Sequence, residues 1–268
     1  MIVTVAMNAR GVGPLDRTVC IMLDVLRASS TMLAMFEAGA AELMLAESPN
    51  AALAVAERDR ATFWVCGERH GLKVEGFDFG NSPTELAEAA LADRTVVYVT
   101  SNGTGALRAV QQAPVVLIGS PRNEVAVVRQ AIREARAHNY DILLLCAGDN
   151  GGVGISLEDA FCAGMLVERI VKLNPRRVGP EELADADALA LDDSAIVVHR
   201  LFRSYLLRGD TGATPEVIQA MFAESRSGRD LPMKGYAADL EYCAEIDVTT
   251  VVPRLDVRGD ALVVVAQG

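Results

Sequence analysis

The chain has 268 residues, of which 51% are hydrophobic and 23% are charged, a balance that is typical of a folded globular protein. Its net charge of −11 argues against a nucleic-acid partner, because an acidic surface repels the phosphate backbone. No apolar stretch approaches the roughly 20 residues that span a bilayer, and no basic segment leads into an apolar core at the N-terminus, so we expect a cytoplasmic protein without membrane contact.

Apolar runs that are followed by polar loops and helical patterns recur along the chain. Four buried strands are predicted from these runs, at Thr18–Leu23, Thr95–Val99, Val115–Ile118 and Ile142–Leu145. Helical spacing follows at Ser29–Ala38 and near Ala106–Gln112. Apolar strands that alternate with helices predict an α/β fold, layered α/β/α, with a mainly parallel or mixed sheet.

The second half of the chain has weaker signals. Asn174–Asp187 contains two prolines and several acids and is interpreted as a surface connection, and Gly209–Gly212 is a second polar break. Within the tail Asp247–Val265, short strands are predicted around Val252-Pro253 and at Ala261–Val265. We predict one domain, 1–268, with two coupled α/β halves as the alternative arrangement.

Polar residues follow three of the predicted strands, at the rim where open α/β sheets bind ligands. Asp24 ends the first strand, the loop Thr100–Gly105 follows the second, and Cys146–Asp149 leads on to Ser156–Asp159. Hydroxyl groups, an amide and glycines before a helix are suited to binding an anion through backbone N–H groups. This clustering predicts an anion site.

Each of these features also has a structural interpretation. Asp24 is equally compatible with a turn or a helix cap, and Ser156 with Asp159 has capping-box spacing. The loop Thr100–Gly105 fits simple turn chemistry as well. Cys146 is either a buried structural thiol, which we favour, or a nucleophile; the usual cysteine phosphatase loop, with five residues between Cys and Arg, does not follow it.

The segment Gly67–Pro83 is rich in charges and glycine and lacks a helix or strand period. A long irregular loop in a compact domain is more often functional than not, although a solvated surface loop is the alternative. Arg69 and Lys73 are candidates for neutralising an anionic substrate, and Glu68 and Asp78 for binding a metal.

The metal-ligand inventory favours oxygen donors. Five cysteines are present without a CxxC pair, and the three histidines are scattered. Neither pattern predicts a zinc site, so a bound metal is expected to be held by carboxylates.

Several short stretches occur together and in order along almost the whole chain. They are DVLRASST at 24–31, GER at 67–69, GFDFGNSP at 76–83, TSNGT at 100–104, CAG at 146–148, SLEDA at 156–160 and CAG at 162–164, with Asp192, Asp193, Ala195 and Val252-Pro253 further on. In this combination the chain resembles the 2-phosphosulfolactate phosphatase family. Two departures are Ser101, where a second threonine is common, and the glycine-rich loop 148–154.

The resemblance implies a Mg²⁺-dependent phosphatase that hydrolyses (2R)-O-phospho-3-sulfolactate to (2R)-3-sulfolactate and phosphate, as in coenzyme M biosynthesis. The partner would be this small anionic substrate, and a homo-oligomer is left open. The candidate catalytic residues are Asp24, Arg27, Glu68 and Asp159. The candidate substrate-binding residues are Arg69, Lys73, Asn81, Ser82, Ser101, Asn102, Gly103 and Thr104. The candidate metal ligands are Asp24, Asp78 and Glu158.

Three rival functions remain open from the sequence. A haloacid-dehalogenase-type phosphatase would also place Asp24 after a strand, but its second acid would stand where this chain has Leu26. A phosphatase of another small phosphorylated acid, or a non-catalytic protein that binds such an acid, fits the same residues; the binding protein would release no phosphate.

Overall fold

The computed structural model describes residues 1–91, 93–174, 188–207, 210 and 212–267. Its strands are β1 Ile2–Ala6, β2 Thr18–Leu23, β3 Glu42–Leu45, β4 Phe63–Arg69, β5 Leu72–Lys73, β6 Thr95–Val99, β7 Val115–Gly119, β8 Asp141–Cys146, β9 Ala190–Leu191, β10 Val252–Arg258 and β11 Ala261–Gln267. Its helices are α1 Ala28–Glu37, α2 Pro49–Ala56, α3 Pro83–Ala87, α4 Gly103–Ala109, α5 Glu124–His138, α6 Leu157–Leu173, α7 Asp193–Ser204, α8 Pro215–Glu224, α9 Arg226–Met233 and α10 Ala237–Ala244.

The described strands form one mixed sheet of eleven strands, in the order β5-β4-β6-β3-β11-β10-β7-β2-β8-β1-β9. Strands β7, β2, β8, β1 and β9 pair in parallel and form the first set. Strands β3, β6 and β4 form a second parallel set. The antiparallel hairpin β10–β11 joins the two sets. The α/β class and the layered arrangement with a mixed sheet are therefore confirmed.

The central strands are continuous apolar runs because both of their faces are covered. All six residues of β2 are buried. On one face, residues of the first set pack with α5, α6 and α7 in a large apolar cluster. On the other face, a second cluster contains side chains of α1, of both strand sets and of the hairpin. The eight residues from Ala28 to Met35 are buried, as expected of a helix enclosed by other elements.

The twist of the sheet brings the two strand sets to the same site. Along the sheet, the second set runs opposite to the first, because the hairpin pairs antiparallel with both. Five steps separate β2 from β6 in the strand order, and a twist of roughly 20–25° per step turns the second set through more than a right angle. The carboxyl ends of β2, β4 and β6 therefore border one cavity.

Most predicted elements are found close to their expected positions. The strands at Thr18–Leu23 and Thr95–Val99 have the predicted bounds, and the tail contains the two expected strands, which are longer than predicted. The segment that we interpreted as an irregular loop is partly regular: Gly67 to Arg69 end β4, and Leu72 and Lys73 pair back on them. Most of Asn174–Asp187 and half of Gly209–Gly212 lie outside the described residues. None of the described helices is long and apolar enough to cross a membrane.

Candidate active site

A cavity of about 760 Å³ opens where the loops after β2, β4, β6 and β8 converge. The segment Glu47–Pro49 after β3 forms another part of the wall. Helix α9 contributes Arg226, Asp230 and Leu231, with Lys234 at its C-terminal end. The three predicted rim loops and the segment that follows β4 therefore contribute to one site.

Asp24 lies at the floor of this cavity and is 6% exposed. Its backbone N–H donates to the Ser29 hydroxyl at 2.8 Å, and its Oδ1 accepts from the Ala28 N–H at 3.3 Å. Burial, helped by the negative charges of Glu68 and Glu158, raises the pKa of the Asp24 carboxyl to about 7. The carboxylate is held in place, but its negative charge is only weakly compensated.

Glu68 and Asp159 use their carboxylates to connect the loops around the cavity. Glu68 accepts from the Ser101 N–H and the Gly71 N–H, both at 2.6 Å. Asp159 accepts from the Val25 N–H at 2.9 Å and the Gly148 N–H at 3.2 Å. Both carboxylates are buried. They therefore bind backbone groups of the loops that follow β2, β4, β6 and β8.

The predicted capping box at the start of α6 is only half present. Ser156 caps the helix, because its hydroxyl accepts from the Asp159 N–H at 3.2 Å. The Asp159 side chain does not return to Ser156 but reaches Val25 and Gly148. Burial and the charges of Asp24 and Glu158 raise the pKa of Asp159 well above its ordinary value. Asp159 thus belongs to the buried acidic group and is more than a helix cap.

Glu158 is 3% exposed, and its charge acts on both Asp24 and Asp159. It has no hydrogen-bond partner among the described residues. A buried carboxylate without a partner is costly unless a cation compensates it. Arg27, the buried cation whose charge acts on Asp24, is already paired with Asp239 at 2.6 Å.

Arg27 lines the cavity, and its guanidinium group is fixed by contacts within the protein. It donates to Asp239 Oδ2 at 2.6 Å and to the Gly71 carbonyl at 2.8 Å, and it stacks on the Tyr236 ring at 4.2 Å from the ring centroid. Asp239 also accepts from the Ser82 hydroxyl at 2.7 Å. Ser82, a predicted substrate contact, therefore supports Arg27 and does not line the cavity.

The other predicted substrate contacts divide into two groups. Arg69, Asn81, Ser101 and Asn102 line the cavity. Asn81 is held by the Tyr98 hydroxyl, which donates to it at 2.5 Å, and the Asn102 side chain accepts from the Gly151 N–H at 2.9 Å. Thr104 bonds to Thr100 through both its N–H and its hydroxyl. Gly103 lies against Asp24, where only glycine fits.

Lys73 and Asp78 also lie outside the cavity lining, as do Glu158 and Asp159. The Lys73 ammonium donates to the Asp78 carbonyl at 2.5 Å and lies 3.8 Å from Glu85. The Asp78 carboxylate accepts from the Val65 N–H at 2.8 Å. Both side chains stabilise the connection from β5 to α3, and the expectation that they lie with Asp24 is not met.

The carboxylates suit a hard divalent cation that takes only a few of its ligands from the protein. Asp24 Oδ2 and the Glu158 carboxylate have no hydrogen-bond partner among the described residues. Within the described part of the chain, no three His, Cys, Asp or Glu side chains are close enough to form a ligand set by themselves. Mg²⁺ often takes only one or two carboxylates and completes its shell with water and substrate phosphate, so this donor set suits it.

Sequence reasoning missed Asp239, Arg226 and Lys234. Asp239 is wholly buried in α10, with Cys243 one turn later and also buried. The available signal was an acidic residue on the apolar face of a helix, which indicates a buried acid. This signal does not reveal that the partner of the acid is Arg27. Arg226 and Lys234 lie at the ends of a short polar helix that resembles any solvated helix.

Cys146 is a buried structural thiol. It is fully buried at the end of β8, and burial followed by the charge of Asp159 raises its pKa well above the ordinary value. A thiol that stays protonated is a poor nucleophile. The interpretation that we favoured from the sequence is therefore supported.

Comparison with known proteins places the chain in a family. The family model described as 2-phosphosulpholactate phosphatase matches residues 12–257. A protein of Deinococcus radiodurans named "probable 2-phosphosulfolactate phosphatase" is 36% identical over 90% of this chain and 89% of its own length. Proteins with the same name from Thermus thermophilus and Thermotoga maritima are 35% and 30% identical; the aligned region covers 91% and 90% of this chain and 91% of each relative. The chain therefore belongs to the 2-phosphosulfolactate phosphatase family.

Proposed function

We propose that the chain is a Mg²⁺-dependent phosphatase that hydrolyses (2R)-O-phospho-3-sulfolactate to (2R)-3-sulfolactate and phosphate. The observation that carries the proposal is the cavity itself, where the buried carboxylate of Asp24 shares the lining with the cations Arg69 and Lys234, and where the charge of Glu158, buried outside the lining, acts on Asp24. Carboxylates without partners suit a metal, and cations suit a substrate with several negative groups. Family membership supports this choice of substrate.

The residues in and around the cavity would have different roles in the reaction. When bound, Mg²⁺ would polarise the phosphoryl group and spread its developing charge. Asp24 and Glu158 are the candidate metal ligands. If only one of them binds the ion, the other would orient the attacking water. Glu68 and Asp159 keep the surrounding loops in position through their backbone hydrogen bonds. Asn102 lines the cavity, and its side-chain NH2 is placed to donate to substrate oxygens, because its oxygen accepts from Gly151. The N–H and the hydroxyl of Ser101 both donate to Glu68.

Phosphate release with and without Mg²⁺ tests the proposal. We expect the purified protein to release phosphate from phosphosulfolactate with Mg²⁺ and to lose this activity when EDTA removes the ion. Equal release in EDTA would contradict the role of the metal. Tight binding of phosphosulfolactate without any release would favour the non-catalytic alternative. Faster turnover of other phosphorylated hydroxy acids would instead move the proposal to another substrate.

Mg²⁺ titration of two variants distinguishes the metal ligand from the general base. Substituting the metal ligand should raise the Mg²⁺ concentration needed for half-maximal activity, whereas substituting the base should lower kcat at saturating Mg²⁺. The variants are Asp24→Asn and Glu158→Gln, with Glu75→Gln as an exposed control outside the cavity. If both variants behaved like the control, neither the Asp24 nor the Glu158 carboxylate would have a part in the reaction.

The proposal includes a cytoplasmic location. All five cysteines are free and buried in the structure, which suits a reducing compartment. Fractionation of the source cells tests this: enzyme activity should appear with the cytoplasmic markers, and recovery with secreted proteins would contradict it.

A further inference from the structure

The cations that line the cavity differ in whether they already have a partner. Arg27 is paired with Asp239, and Arg226 donates to Asp149 at 2.9 Å and to Asn150 at 3.2 Å. The side chains of Arg69 and Lys234 have no hydrogen bond or ion pair among the described residues. Both are exposed to the cavity.

The carboxylates near this rim are occupied by other groups. Glu47 lies 3.2 Å from Arg108, and Asp230 lies 4.0 Å from Arg226. Glu68 accepts from backbone N–H groups. No described carboxylate of the cavity therefore pairs with Arg69 or Lys234, and their positive charge is left for a ligand.

Both cations lie at the same tight turn, around Gly71. Arg69 precedes this turn by two residues, and the Lys234 ammonium lies 3.0 Å from the position that a Cβ on Gly71 would occupy. Gly71 has a φ of +80° and no side chain, so the lysine can cross directly over the backbone. The N–H of Gly71 donates to Glu68 at 2.6 Å, so this turn is bound to one of the buried carboxylates that line the cavity.

We propose that Lys234, together with Arg69, forms the subsite for the sulfonate of the substrate and makes the enzyme selective for phosphorylated acids that carry one. This inference rests on the proposed function and assigns the part of the substrate that does not react. A sulfonate is a strong acid that keeps its charge at all physiological pH values and offers three acceptor oxygens, which suits an ammonium and a guanidinium group. The phosphoryl group is left for the floor near Asp24, where the metal of the proposed function would offset the charges of both the carboxylate and the phosphate.

The test compares two substrates in the Lys234→Met variant. Methionine keeps the length of the side chain and removes the charge. We expect kcat/KM for phosphosulfolactate to fall about 10- to 100-fold, the usual loss for a charge-assisted contact. For O-phospholactate, which lacks the sulfonate, kcat/KM should stay within about twofold of the unaltered enzyme, and Lys234→Arg should restore most of the loss for phosphosulfolactate.

Arg229→Ala is the matched control, because it removes one positive charge from the same helix at a position that does not line the cavity. It should leave both substrates unaffected. Equal losses for both substrates in Lys234→Met would overturn the inference, since the lysine would then contact the shared phosphate or carboxylate. An unchanged kcat/KM for phosphosulfolactate would also overturn it.

Calorimetry with 3-sulfolactate and lactate keeps the subsite testable if the unaltered protein turns over neither phosphate ester. In that case the proposed function fails, while the subsite still predicts that 3-sulfolactate binds more tightly than lactate and that Lys234→Met removes this difference. If the unaltered protein showed no preference for 3-sulfolactate, the subsite assignment would fail as well.

Discussion

The Arg27–Asp239 pair shows how single residues fix the site. Both side chains are almost fully buried, and the partners are 212 positions apart in the chain. Asp239 accepts from Arg27, from Ser82 and from the Thr84 hydroxyl at 2.6 Å, so its carboxylate is well satisfied. The pair connects α10 to the loop after β2, and it orients a guanidinium group that lines the cavity.

Removing the charge of Asp239 should be costly. Asp239→Asn leaves Arg27 as a buried cation without its counterion, and breaking a buried pair in this way costs about 3–5 kcal/mol. Chemical denaturation should show this loss in the free energy of unfolding. Asp256→Asn, which removes the exposed partner of Arg258, should have little effect. Equal stability of the two variants would contradict a structural role for the buried pair.

The five cysteines lead to a prediction about thiol chemistry. Each is buried, and burial raises the pKa of Cys66, Cys146 and Cys162 well above the ordinary value and that of Cys243 to about 12. Cys20 is shifted in the same direction for the same reason. In the native protein we expect no rapid reaction with a thiol reagent such as DTNB, and five reactive thiols after unfolding in guanidinium chloride. A thiol that reacts as fast in the native protein would contradict the assignment.

At the scale of elements, the start of α4 lies in close contact with the loop after β2 and with the first residue of α1. A Cβ on Gly103 would lie 2.9 Å from the Ala28 Cβ and 2.9 Å from Asp24 Oδ2. Ordinary carbon contacts are longer, so only glycine allows this approach. The first residue of α4 therefore helps to set the position of the Asp24 carboxylate.

Two alanine substitutions in α4 test this contact. Gly103→Ala should displace Asp24 and lower kcat/KM about 10- to 100-fold, since small misplacements of reacting groups are expensive. Gly105→Ala is the control, because its Cβ would meet nothing within 4 Å. It should retain activity and raise the free energy of unfolding by about 0.5–1 kcal/mol, because alanine favours helix over glycine. Normal activity in Gly103→Ala would contradict the proposed role of the contact.

Elements were predictable where a local pattern determined them. The strands Thr18–Leu23 and Thr95–Val99 are apolar throughout because both of their faces are covered, and such runs are visible in the sequence. Strand β4 was missed because its last residues, Gly67 to Arg69, are polar, although they continue the strand and Gly67 still pairs with Val99. The short apolar run Phe63–Cys66 was the only local sign of this strand, and long-range pairing with β6 extends it to Arg69.

The candidate site was predictable to the same extent. Asp24, Glu68, Arg69 and Asn102 were found because they follow apolar strands or lie in short motifs, and the structure brings them to one cavity. Lys73 and Asp78 were misplaced because charge in a loop does not indicate the direction of a side chain. Lys234 and Asp239 come from the C-terminal part of the chain, and no local pattern connects them to residues near position 27 or 71.

At the scale of the whole molecule, the site depends on the sheet as a unit. The cavity is bordered by the ends of β2 and β8 from one strand set and of β4 and β6 from the other. The hairpin β10–β11 lies between the sets and pairs with both. The two sets also share one apolar cluster. A change in the relative position of the sets would therefore separate Asp24 from Glu68.

Cooperative unfolding is what we expect if the chain is the one domain predicted from the sequence. Trp64, the one tryptophan of the chain, lies in β4 of the second set, whereas Leu144 is fully buried in β8 of the first set. We expect Leu144→Ala to cost about 2–5 kcal/mol, the usual range for emptying a buried leucine site. If the chain unfolds as one unit, tryptophan fluorescence and far-UV circular dichroism should shift to the same lower denaturant midpoint. An unshifted fluorescence transition beside a shifted dichroism transition would show that the sets unfold separately, and the site would then depend on docking between two independent halves.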